Sequence, residues 1–446
     1  MIPPGITPPP RPLGRLAFVA TFVRNPLEVV PQVAYEEDFV PFGGAKSPRA
    51  WVTSPTLIKA VLLDERDKFR KLVQIRLLGP LLGKGILTSE GAEWKWQRQA
   101  AAPMFRQQDL AAFVPAFVRA AEDTLARWRA HPRGAVLAVD EDMTRATFDV
   151  ISATLLPAAD EAFALGMQRS VRALQRSGGW DMLYASLNVP GWFPRPGMMG
   201  EYNAMRTLRT TVARLLRERR GSEGDNLMHR LIAVRDPETG RSMDDDQLVD
   251  NLLTFYLAGH ETTARALTWT LYLLARSPEW SARLEDEIGR VAGGGAIAAQ
   301  HLDKLVLVQQ VLKESMRLYP PVPIMSRQAI ADARLGEHAV RAGTSILMPI
   351  YAIHRHAKRW ERAQEFDPAR FAPEGEGAIP RYQYMPFGAG PRVCIGMSFA
   401  MMEATAILAT LLQRARFAPV EGYEPRPVAR VTLIPKDGMP LKVTCY

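Results

Sequence analysis

Apolar residues recur at three- and four-residue intervals along most of the chain, so helices dominate the expected structure. The longest such stretch runs from about Asp244 to Arg276. Ser242 with Asp244, Asp245 and Asp246 gives it a capped, acidic start that suits the helix dipole. Ser277-Pro278 ends it. At 1.5 Å per residue it would be roughly 50 Å long, enough to cross the whole molecule. His260, Glu261, Thr262 and Arg265 interrupt its apolar pattern, which argues against a membrane span. Strand-like pieces are few: residues 50–53, 346–348 and 431–434. Gly293-Gly294-Gly295 reads as a flexible loop, because helical pattern resumes on both sides. No internal repeat is found. The expected architecture is mainly α with small β-sheets at one edge.

Prolines at 3, 4, 8, 9, 10 and 12 make residues 1–12 an extended arm. The apolar run from Leu16 to Val23 is too short to span a bilayer, which needs about 20 residues. Arg24-Asn25-Pro26 follows it, with no small-residue cleavage site. A soluble, cytoplasmic protein is expected. The two cysteines exclude a disulfide scaffold and fit a reducing compartment. With 47% apolar and 23% charged residues, the 446-residue chain has ample material for a core. Its net charge of +9 would favour an acidic partner by steering. The densest basic cluster, Arg214, Arg217, Arg219 and Arg220, falls on an amphipathic helix pattern and reads as a solvated face, and no nucleic-acid motif is found.

The most informative chemistry lies in Phe387-Gly388-Ala389-Gly390-Pro391-Arg392-Val393-Cys394-Ile395-Gly396. A thiolate wrapped by glycines and fenced by an aromatic is what a haem iron needs if sulfur is its axial ligand. Such a sulfur must be buried and compensated by backbone N–H donors. Gly390 and Gly396 would allow the tight turn, Phe387 would shield the sulfur, and Arg392 would point toward a haem propionate. The plain alternative is a structural thiol in a turn. Zinc does not fit, since the only other cysteine, Cys445, forms no C-x-x-C pair.

This stretch resembles the cysteine loop of the cytochrome P-450 haem-thiolate monooxygenases, and the resemblance runs from about Pro12 to the C-terminus. It implies the P-450 fold: a triangular prism with a long central helix over the haem and a cysteine-ligand loop. It also implies one catalytic domain over residues 1–446, because the distant motifs make sense only around one cofactor, haem b. Ala258-Gly259-His260-Glu261-Thr262-Thr263 resembles the oxygen-activation motif, with Glu261 as the acid and Thr262 as the threonine that bonds iron-bound oxygen. His260 holds a variable position and is not expected to bind iron. A kinked helix with a capped hydroxyl is the alternative.

Glu314 and Arg317, with Arg370 as third member, resemble the family's structural Glu-x-x-Arg triad. Trp94 and Arg98 resemble its propionate clamp, joined by Arg392 and Arg327. Trp96 faces elsewhere and is expected in the core. By the same resemblance, Leu87, Phe255, Ala258, Val322, Ile324, Val431 and Thr432 would line a substrate space, though plain core packing suits most of them equally. Residues 180–199, rich in Trp, Met, Tyr, Pro and Gly, read as a lid between two helices. Two electrons would come from a separate ferredoxin and its NAD(P)H-dependent reductase, docking near Cys394, with Lys95 and Arg106 as contacts. The partners would otherwise be O2 and an apolar small molecule, and the protein a monomer. A peroxide-driven peroxygenase and a non-enzymatic haem sensor are the competing readings; Glu261 and Thr262 argue against both.

Overall fold

The computed structural model describes residues 1–45, 47–155, 179–194, 196–219, 226–236 and 239–446. The helix Asp245–Ala275 runs through the middle of the main core. Asp244 is its N-cap: its side chain accepts from Gln247 N–H while Gln247 reaches back to Asp244 N–H. Among the described residues, the helices that pack most extensively against it are Val139–Leu155, Met198–Arg219, Val306–Leu318 and Met397–Leu412. Most of its residues are buried, and no described helix is long and apolar enough to cross a membrane.

The small sheets are more extensive than the three expected strands. A five-stranded sheet runs in the order Phe39–Gly44, Ser47–Val52, Ser345–Met348, Met325–Ala329 and Phe69–Arg70. Ser47–Val52 and Ser345–Met348 pair in parallel; the other neighbours are antiparallel. A second sheet joins Ala135–Ala138, Pro440–Cys445 and Ala415–Pro419. Two short hairpins complete the β structure of the described residues. One of them pairs Pro427–Ala429 with Leu433–Pro435, so the strand expected over 431–434 is shifted: Val431 and Thr432 form its turn.

The N-terminal arm is extended but docked. Met1 and Pro9 carbonyls accept from Phe366 and Gln32 N–H, and the Tyr351 hydroxyl accepts from Ile6 N–H at 3.1 Å. The expected lid is partly helical: residues 179–187 form helix, and another helix begins at Met198; residue 195 lies outside the described residues.

Candidate functional site

The turn before Cys394 is built by two glycines in the left-handed region, Gly388 (φ 72°) and Gly390 (φ 71°). A Cβ on Gly390 would stand 2.7 Å from the Leu62 carbonyl oxygen, so no larger residue fits. Gly396 also lies in a turn, but with an ordinary φ of −88°, and it is the N-cap residue of the helix Met397–Leu412. Its N–H is one of the groups that meet the sulfur. Cys394 N–H donates to the Phe387 carbonyl at 2.9 Å, and the Cys394 sulfur accepts from Gly396 N–H. Burial pushes the thiol pKa up; the Gly396 N–H and the Arg98 charge pull it down. Cys394 is exposed, and it lines a cavity of about 1110 Å³.

Four cations line that cavity beside the cysteine loop: Lys71, Arg98, Arg327 and Arg392. Arg392 donates to Glu90 Oε2 at 2.7 Å and to the Ser89 carbonyl, and its guanidinium lies 3.9 Å over the Trp94 ring. Trp94 thus serves as the platform for Arg392. Arg98 donates to the Val393 carbonyl at 2.9 Å, which ties its helix to the cysteine loop. Arg327 is buried and donates to the Ser326 carbonyl at 2.8 Å. Lys71, also buried, donates to the Leu87 carbonyl. Burial, followed by repulsion from Arg392 and Arg327, pushes the Lys71 ammonium down to about 7 despite Glu90. Burial likewise brings Arg327 and Arg392 down to about 10. Four positive groups around one carboxylate leave a charge excess that an anionic ligand would relieve.

On the long helix, Ala258 and Thr262 face the same cavity. Thr262 Oγ1 donates to the Ala258 carbonyl at 2.7 Å, a bond to the preceding turn that leaves its lone pairs free. The helix is assigned as one unbroken element through this stretch. Gly259 lines the cavity too, but a Cβ on it would meet Ile151 Cδ1 at 3.1 Å: the glycine lets the helix Val139–Leu155 approach. Glu261 is not free. Its Oε1 accepts from Arg265 Nε at 2.9 Å and from Thr432 Oγ1 at 3.0 Å, while Oε2 has no partner. Burial acts to raise its pKa, yet Arg265, His260 and Thr432 outweigh it and hold the carboxyl below the usual range. His260 is buried, with Nδ1 2.9 Å from the Tyr256 carbonyl, and Tyr256 and Phe148 pack against its ring.

The family profile described as Cytochrome P450 matches residues 8–442. The chain belongs to the cytochrome P450 family. It is therefore a haem-thiolate monooxygenase. It is 34% identical over 428 residues to a cytokinin hydroxylase from Arabidopsis thaliana, covering 91% of this chain and 80% of the relative. It is 31% identical to the cyclooctat-9-en-7-ol 5-monooxygenase of Streptomyces melanosporofaciens, covering 90% of this chain and 86% of that one. Among solved structures, the crystal structure of cytochrome P450DA heme domain superposes with a TM-score of 0.83 at 26% identity, over 99% of this chain and 97% of that one. The residues present fit the P450 cofactor. A cysteine sulfur met by a backbone N–H opens into a cavity whose wall carries surplus positive charge, and a haem has two carboxylates.

Behind the haem-thiolate loop of this P450 lies the buried Glu314–Arg317 pair. Arg317 Nε and Nη2 grip the two Glu314 oxygens at 2.6 and 2.8 Å. Its remaining donors reach the carbonyls of His354, Ala363 and Glu365 at 2.7 to 2.8 Å. Glu314 Oε1 also accepts from Asp367 N–H at 2.9 Å. Arg370 is a looser third member than expected: its Nε lies 3.6 Å from Glu314, and it bonds the Arg362 carbonyl instead.

All seven expected pocket residues line the P450 cavity: Leu87, Phe255, Ala258, Val322, Ile324, Val431 and Thr432. Thr432 is corrected in part, since it is buried and its hydroxyl is engaged by Glu261. Trp96 is buried, as expected, with Arg241 over its ring. Lys95 and Arg106 are exposed. Sequence reasoning missed Lys71, Glu90 and Arg265 as site residues. Only Arg265 carried a signal, its i+4 spacing from Glu261.

Proposed function

We propose that residues 1–446 form one catalytic unit that inserts an oxygen atom from O2 into an apolar small molecule. Haem b is the cofactor, held by the Cys394 thiolate. Arg98, Arg327, Arg392 and Lys71 take its carboxylates, with Trp94 fixing the Arg392 guanidinium. When bound, the haem supplies oxygen activation and the oxidising power for attack on an unactivated C–H bond. The chain's own groups position and protonate. Phe387 and the glycine turn hold the thiolate and limit water around it. The Gly396 N–H moderates the charge on sulfur. Thr262 offers its hydroxyl to the cavity, donating to the Ala258 carbonyl at rest, and would hold a proton at Oγ1 for delivery into the cavity. Glu261, held ionised by Arg265 and Thr432, takes protons from outside and passes them toward Thr262. The Glu314–Arg317 pair, with Arg370 beside it, holds the loops that lead to Cys394 and has no chemical step of its own. Leu87, Phe255, Val322, Ile324 and Val431 bound the substrate space.

The single observation that carries this reading is the Cys394 sulfur, backed by Gly396 N–H and opening into the same cavity as Thr262. Electrons come from a soluble ferredoxin and its NAD(P)H-dependent reductase, for which the net charge of +9 favours an acidic carrier docking past Lys95 and Arg106. The protein acts as a cytoplasmic monomer. The test is reconstitution: with NADPH, ferredoxin reductase and ferredoxin, product should form in step with O2 uptake. Turnover driven by hydrogen peroxide but not by this chain of carriers would favour the peroxygenase reading instead.

A further inference from the structure

The cavity has a second charged region, separate from the four cations beside the cysteine loop. Arg49, in the strand Ser47–Val52, and Arg76, in the helix Leu72–Leu82, both line it. They come from different elements and converge on two neighbouring carbonyls. Arg49 Nη2 donates to the Ser186 oxygen at 3.3 Å, and Arg76 Nη1 lies 3.5 Å from the Ala185 oxygen. Both carbonyls belong to the last turn of the helical residues 179–187. Among the described residues, neither guanidinium has a carboxylate within ion-pair distance. The two acids on this side, Asp181 and Glu201, are engaged with other groups. Phe18, Phe22, Trp51, Met182 and Val189 also line the cavity, beside the polar Gln74, Tyr184 and Asn188.

Capping a helix C-terminus is a sufficient use for one cation. It is a poor account of two. Each guanidinium carries five donors, and a carbonyl at 3.3 or 3.5 Å occupies one of them weakly. Arg49 is largely surrounded by protein, and burying an uncompensated charge is unfavourable. A planar carboxylate is the ligand that satisfies forked donors two at a time.

We propose that Arg49 and Arg76 read the carboxylate of an otherwise apolar substrate, fixing its acid end against residues 185–186 while its hydrocarbon body extends toward Cys394. The substrate class is therefore an apolar monocarboxylic acid, and the arginine pair sets both preference and position of attack. This rests on the haem-thiolate reading above.

The test uses the holoenzyme and calorimetric titration with two matched pairs: hexadecanoate against methyl hexadecanoate, and abietate against methyl abietate. At least one acid should bind about tenfold or more tightly than its ester, a difference of about 1.4 kcal/mol. In the double variant Arg49→Gln/Arg76→Gln, that acid should fall to within about twofold of the ester, with the ester unchanged. Acids and esters binding alike in the native enzyme would overturn the proposal without recourse to any variant. So would an acid preference that survives in the double variant. The carbon monoxide spectrum of the same reduced samples reports the haem-thiolate reading on its own, so the two can fail independently.

Discussion

Replacing Arg317 by methionine would leave the buried Glu314 carboxylate with the Asp367 N–H at 2.9 Å and the looser Arg370 guanidinium at 3.6 Å as its remaining partners. Both side chains of the pair are fully buried, so solvent screening does not soften the loss. Stranding a buried charge in this way costs about 3–5 kcal/mol. The carbonyls of His354, Ala363 and Glu365 also lose their donor, at about 1 kcal/mol each. The sum, roughly 6–8 kcal/mol, is comparable with the whole stability of a folded domain, about 5–15 kcal/mol. Arg317→Met should therefore yield protein that is largely unfolded or fails to retain haem. The double variant Glu314→Leu/Arg317→Met removes both charges at once and should recover most of the charge part of the loss. Urea unfolding followed by tryptophan fluorescence and haem absorbance measures all three proteins. A single variant that loses under about 1.5 kcal/mol, or a double variant no better than the single, would refute the reasoning.

Thr262→Ala removes one hydroxyl that bonds only its own helix, so stability should change by less than about 1 kcal/mol while product formed per O2 consumed falls sharply; oxygen-electrode and product assays on the same sample separate the two. Arg265→Leu removes the strongest of the groups that oppose burial at Glu261 and leaves His260 and the Thr432 hydroxyl. In the native protein the lowered folded pKa contributes stability above the ordinary carboxylate range, lost as pH falls through the folded value; in the variant the folded pKa rises, that contribution shrinks, and the acidic limb of turnover should move to higher pH. Binding of an anionic haem should return the Lys71 ammonium from about 7 toward the ordinary lysine range, taking up a proton. Haem affinity should thus fall as pH rises above about 7, and Lys71→Met should flatten that dependence in a haem-transfer assay.

The central helix was legible because its signals are local: periodicity, the acidic cap and the Ser277-Pro278 stop all lie within it. The cysteine loop was legible for the same reason, although the left-handed positions are Gly388 and Gly390, and Gly396 turns with an ordinary φ. Short strands were less legible, since Phe69–Arg70 is defined only by its partner Met325–Ala329, far along the chain. Lys71 gave no sequence signal at all. Its meaning comes from Glu90, Arg327 and Arg392, which the fold brings to it from three other segments. The pairing of Glu261 was half legible: Arg265 stands four residues on, whereas Thr432 arrives from a hairpin turn 171 residues away.

The bond between the Cys394 sulfur and a haem iron is tested most directly by the carbon monoxide difference spectrum of the reduced holoprotein beside that of Cys394→His. The native protein should give the strongly red-shifted band of a thiolate-ligated haem, and the variant the band of an imidazole-ligated one. The same band in both proteins would contradict the account.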